Sequence, residues 1–267
     1  SWGRFHSCDT SIKQRIRTTE QGVWRALALG LDREHPILIR AADHCISLLN
    51  GSSPFPDPAE KNDRWEIGWR LFVSAILSQI QPDNKILKPE MDLWTEITRR
   101  TFADGNYSQE AEIAAHHQLT GANVAGSYLQ LNNRYTLMLL AHAGLPPQIE
   151  ASLLQWIWTL PDGIGYLHVP LNRDTIPNSS GKCERWFASL EVLQKFRSWS
   201  LLRHEVETLL WSYLNDEHRF DFGRYSAMSS VLPLSDDWRH SNKRGHDWTT
   251  RVLLLMTQNS VPDTSLD

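Results

Sequence analysis

Apolar residues recur at intervals of three and four along most of this chain, and the helices they predict are separated by proline, glycine and Asn/Asp loops. From Ile12 to Leu31, Ile16, Val23, Leu27 and Leu31 fall near one stripe, with Thr19 and Glu20 early and Gly30 closing the helix in left-handed geometry. Pro36 opens a second helix, whose apolar face of Leu38, Ala41, Ala42, Cys45, Leu48 and Leu49 ends at Asn50-Gly51. These two form a helical hairpin. The segment GSSPFPDPAEKND is a stiff loop, because Pro54, Pro56 and Pro58 remove backbone donors and helical freedom. It leads into the most apolar helix, Trp65 to Ile80, where Trp65, Trp69, Phe72, Ile76 and Ile80 recur at helical spacing.

Further helices are predicted over about Glu90 to Phe102, from a Ser108 cap through SQEAEIAAHHQL, over Tyr128 to Ala143, and from Pro147 through Trp158. Glu112 stands at or near the capping-box position of the second of these. The chain then changes character: residues 163–171, with glycines, β-branched residues and bounding prolines, predict a short β-like excursion. Helices resume at Cys183 to Phe196 and Leu201 to Leu214. The last covers about His246 to Met256, with His246-Asp247-Trp248 in its first turn. About ten helices and almost no strands give an all-α fold of stacked hairpins. Residues 1–259 are expected to form a single domain and 260–267 a flexible tail.

Composition narrows the partners. A formal charge of −4 and a sequence pI of about 6.3 argue against nucleic acid, which needs a concentrated basic surface. No apolar run reaches the length of a membrane span. Three cysteines, Cys8, Cys45 and Cys183, lie far apart and outside CxxC spacing, so no disulfide framework is indicated; with no signal-peptide pattern, the expected setting is the reduced cytoplasm. Twelve Trp against six Tyr suits a thick helical core or an aromatic-lined cavity. No GxSxG, Walker loop, GxGxxG or HExxH occurs, and the motifs name no cofactor or metal.

The C-terminal stretch LLWSYLNDEHRFDFG is similar to the helix-plus-turn repeat of terpenoid cyclases and protein prenyltransferases, in which a helix ends in a Gln/Asn-Asp-Gly-aromatic turn. Asn215-Asp216 and Phe220-Asp221-Phe222-Gly223 hold those places, with Glu217 and His218 where glycines are more usual. The opening hairpin GVWRALALGLDREHPILIRAADHCISLLNG also resembles a hairpin of that superfamily. The resemblance implies an α/α toroid, a ring of helical hairpins around a central cavity that takes an apolar or polyprenyl-like (isoprenoid) small molecule for cyclase or transferase chemistry. It does not bring the superfamily's catalytic motifs. The chain has no D-x-D-D acid, and no cysteine is preceded two residues earlier by the aspartate of the prenyltransferase zinc site. The fold can be inherited while the chemistry is lost. The alternative is a non-catalytic helical scaffold that binds a peptide or protein on its concave surface.

Five groups of residues are candidates for chemistry. Glu112 and His116 lie one helical turn apart and face the same way, as an acid/base pair would, although a capping glutamate beside a solvated histidine is the plainer account. Lys61 and Arg64 flank the start of the apolar helix that carries Trp65 and Trp69, where free N–H groups can hold an anion; ordinary capping with surface charge also explains them. Asp236-Asp237-Trp238 with Asp247 and Trp248 combines carboxylates and rings: Asp237 or Asp247 as acid or base, Trp238 and Trp248 stacking on a ligand. A structural cap and an Arg239 salt bridge are the simpler reading. Last come His6 with Glu20 and Tyr166 with His168, where a lone histidine near aromatics is more often a hydrogen-bonded structural residue.

Overall fold

The structure, a computed structural model, describes residues 3–6, 18–225, 232–235 and 238–257. Ten α-helices and two short 3-10 turns form among them, and no strand does. The fold is all-α. The β-like excursion expected at 163–171 reduces to one isolated bridge between Gly163 and Val169. Its cause is a tight crossing: a Cβ on Gly163, which has φ +63°, would lie 2.0 Å from the Val169 carbonyl oxygen. The backbone there loops over itself instead of pairing along a ladder. The proposed tail, 260–267, lies outside the described residues. Among the described residues no helix is long and apolar enough to cross a membrane.

The chain divides into two compact units, Ser1–Leu145 and Pro146–Asp267. In the first, α1 (Thr19–Ala28) begins with a capping box: the Thr18 hydroxyl accepts from Gln21 N–H, and the Gln21 side chain returns to the Thr18 N–H. Helices α2 (Pro36–Leu49) and α3 (Trp65–Ile80) pair, and every residue of α3 from Leu71 to Ile80 is buried. That burial explains its all-round apolar sequence. Against α3 also packs α6 (Arg134–Leu140), while α4 (Lys88–Thr101) packs against α5 (Gln109–Thr120).

Helix α6 is shorter than the 128–143 helix that periodicity predicts. Asn133 caps its start by accepting Tyr135 N–H at 2.7 Å, and its amide donates to the Tyr128 carbonyl, so the preceding residues form turns. The capping-box expectation for Glu112 also fails. Ser108 caps α5 by accepting Ala111 N–H, and the Glu112 carboxylate is engaged elsewhere.

The second unit contains α7 (Pro147–Thr159), α8 (Ser180–Leu193), α9 (Ser200–Trp211) and α10 (Ser241–Thr257). Buried Trp186, Phe187 and Trp248 form the centre of its aromatic core, with Phe222 and Tyr225 against Trp248. Arg251 lies within it, bonded to Glu191 at 2.5 and 3.0 Å and over the Phe187 and Trp248 rings. Helix α10 starts five residues before His246, so His246-Asp247-Trp248 is not its first turn.

Candidate functional site

The densest group of proton-transfer side chains lies in the first unit and draws on three elements. His6 comes from the segment 3–6, Glu20 from the first turn of α1, and Tyr135 from α6. His6 Nδ1 is 2.9 Å from Glu20 Oε2, the Tyr135 hydroxyl donates to the same oxygen at 2.7 Å, and Tyr135 Oη is 3.0 Å from His6 Nδ1. All three residues are buried, Glu20 completely. Because the phenol's one proton goes to Glu20, the tautomer that satisfies the cluster carries a proton on Nδ1, directed between the two oxygens. Nε2 is then the ring atom on the opposite side.

Aromatic faces enclose this group. The His6 ring stacks on Phe72 at 4.4 Å between centroids, and Tyr135 meets it edge-on at 5.2 Å. Trp24 stacks on Tyr135, and Tyr128 adjoins Phe72. Ring faces favour a nearby cation, so they stabilise the imidazolium or a positive charge developing beside it. The N-terminal position of Glu20 in α1 favours a negative charge through the helix dipole.

The expected pair Glu112 and His116 is brought to one place but not into hydrogen-bond contact, with His116 Nε2 4.0 Å from Glu112 Oε1. Glu112 instead accepts Leu131 N–H at 2.5 Å and the Tyr107 hydroxyl at 2.7 Å. Burial raises its carboxyl above the ordinary range, with those two bonds opposing the rise. Neither ring nitrogen of His116 has a hydrogen-bond partner, and burial lowers it to about 4. The edge of its ring meets Trp94 at 5.3 Å between centroids. At neutral pH this is an uncharged imidazole beside a carboxyl that anchors the loop at Leu131.

The other candidates are placed as follows. Lys61 is exposed, while Arg64 donates to the Asn123 carbonyl at 3.4 Å. Trp65 and Trp69 are half-buried beneath Phe55. The carboxylate of Asp247 accepts Leu234 N–H, Ser235 N–H and the Ser235 hydroxyl, and so holds the 232–235 turn. Trp248 is fully buried, its indole N–H donating to the Gly223 carbonyl at 2.9 Å; Trp238 is half-buried near Tyr225. Asp236 and Asp237 lie outside the described residues. Tyr166 and His168 both have positive φ, at 69° and 48°, in an exposed turn.

Among the described residues, no group of three or more His, Cys, Asp or Glu could hold a metal ion. Burial pushes the thiols of Cys45 and Cys183 up to about 12, which suppresses the thiolate that metal binding or nucleophilic attack requires. No protein-family model, no curated protein and no solved structure matches this chain.

The sequence pairs His6 with Glu20, but it offers no local signal for Tyr135, 115 residues further along. One usable signal was the register of α1: Glu20 lies three residues before the buried Val23, which places a carboxylate on the inward face.

Proposed function

We propose that this chain is a divergent α/α-toroid protein that binds an apolar or polyprenyl-like small molecule. It transfers a proton to or from that molecule at His6, Glu20 and Tyr135, in chemistry of the cyclase or transferase type. The observation that carries this reading is the convergence of an imidazole, a carboxylate and a phenol within 3.0 Å of one another, among ring faces. Such a group can store a proton and pass it without bulk water. Glu20 and Tyr135 both engage His6 Nδ1 and fix the ring, so His6 Nε2, on the opposite side of the imidazole and itself enclosed, is the atom assigned to meet the ligand. Neighbouring aromatic faces suit an apolar ligand and any cation formed on it. Toroidal closure of the helices belongs to the same proposal and is supported by the resemblance of the two terminal stretches.

The test is intrinsic Trp fluorescence on addition of farnesyl or geranylgeranyl diphosphate. Trp24, stacked on Tyr135, is placed to report occupancy. A saturable change that is lost in Trp24→Phe supports the reading, and no response at saturating ligand removes the isoprenoid version. A second reading, the peptide- or protein-binding scaffold, draws on exposed apolar residues of the second unit, with Leu201 at 62% and Trp211 at 51% exposure. Those residues lie in α9, and substituting them leaves the Trp24 response intact.

A further inference from the structure

The backbone of the segment carrying His6 is held along both edges. Asp57 accepts two N–H bonds at once, Phe5 N–H at Oδ1 and His6 N–H at Oδ2, both at 2.7 Å. Bonds to a carboxylate at this length belong to the stronger class of protein hydrogen bonds. On the other edge, the carbonyls of Arg4 and Phe5 accept the N–H groups of Thr19 and Glu20 at 3.0 and 3.2 Å. Those amides open α1, where no intrahelical acceptor exists for them. The segment is therefore registered directly against the helix that supplies Glu20.

The loop that presents Asp57 is stiff as well. Pro54, Pro56 and Pro58 restrict its backbone, and the Phe55 ring packs on Phe5, Trp65 and Trp69 at 5.4 to 5.6 Å between centroids. Asp57 itself is only part-buried and takes no place in the His6–Glu20–Tyr135 cluster.

We infer that Asp57 is a positioning residue for His6: its carboxylate fixes the amides of residues 5 and 6, and so selects the placement of the imidazole that meets Glu20 and Tyr135. An imidazole on a backbone held along one edge only, by the bonds from Thr19 and Glu20, has more freedom to sample other staggered rotamers, of which one makes these contacts. The inference rests on the proposed proton-transfer role of the cluster. The placement of the ring, however, is measured on the full chain with no ligand present, so it stands or falls separately from that role.

The experiment compares Asp57→Ala, Asp57→Asn and Phe55→Ala by NMR of the His6 ring nitrogens, with melting temperatures recorded in parallel. Phe55→Ala removes the ring contacts of the same loop but keeps the Asp57 carboxylate. The expected result is that Asp57→Ala moves the His6 ring resonances towards those of a free imidazole and abolishes the hydrogen-bonded Nδ1–H signal. Asp57→Asn, which keeps one good acceptor, moves them part of the way, and Phe55→Ala lowers the melting temperature while leaving them in place. His6 resonances unmoved in Asp57→Asn, or moved equally by Phe55→Ala, overturn the inference; the asparagine variant decides the matter if the alanine variant fails to fold. Where proton transfer to a ligand is also observed, a displacement of about 1 Å at His6 lowers the rate of that step on the order of 100-fold.

Discussion

Replacing Glu20 by alanine removes the acceptor shared by His6 and Tyr135, and its cost follows from the geometry. Glu20 is fully enclosed, and its Oε2 stands 2.7 Å from the Tyr135 hydroxyl and 2.9 Å from His6 Nδ1. Its removal leaves two buried donors, the Tyr135 hydroxyl and His6 Nδ1–H, without their acceptor, at about 1–3 kcal/mol each and so about 2–6 kcal/mol together. Glutamine preserves the volume and one acceptor, so about 1–2 kcal/mol is expected for that variant, the scale of a single hydrogen bond. At about 2–4 °C per kcal/mol for a chain of this size, Glu20→Ala lowers the melting temperature by roughly 4–24 °C and Glu20→Gln by roughly 2–8 °C. Far-UV circular dichroism on heating is the assay. A cycle with His6→Gln is expected to show coupling of about 0.5–3 kcal/mol. A Glu20→Ala melting temperature within about 2 °C of the parent, or strictly additive variants, refutes the bonded cluster.

Two further outcomes concern the first unit. Burial holds His116 near 4 instead of its ordinary 6.5, so the folded state binds fewer protons than the unfolded chain. That contribution is complete above about pH 6.5 and is lost as pH falls towards 4, for a total on the order of 3 kcal/mol. His116→Phe, which keeps a ring against Trp94, is expected to flatten the decline in melting temperature below pH 6.5; an unchanged slope contradicts this. The raised carboxyl of Glu112 acts in the opposite sense, its contribution present at low pH and lost as pH rises through the folded value. At Gly68, an added Cβ would lie 2.7 Å from Tyr128 Oη and 2.8 Å from Cε2. Gly68→Ala therefore costs about 1–3 kcal/mol by overpacking, and in Tyr128→Ala the same substitution costs less, as unfolding measurements on the four proteins would show.

Helices were readable where a local rule and the apolar stripe agreed. Pro36 and Asn50 bound α2, and Trp65 and Ile80 bound α3, where the sequence places them. The errors arose where a side chain served a distant partner. Asn133 caps a shorter α6 while holding Tyr128, and Glu112 serves Leu131 and Tyr107 in place of its own helix. Periodicity is blind to such choices, since it records which face is apolar and not which acceptor a given amide finds. The same limit applies to the candidate site. Glu20 is legible on the inward face of α1, three residues before the buried Val23, and the sequence pairs it with His6. Tyr135 and Asp57 reach His6 only through tertiary folding, from positions 129 and 51 residues away.

The most direct measurement of the proposed activity is deuterium uptake. The chain is incubated in D2O with a polyprenyl substrate, and the recovered small molecule is analysed by mass spectrometry. The account predicts carbon-bound deuterium in the presence of the parent protein and its loss in His6→Gln and Glu20→Gln variants that remain folded. No uptake with the parent protein, or uptake undiminished in folded His6→Gln, contradicts proton transfer at this cluster.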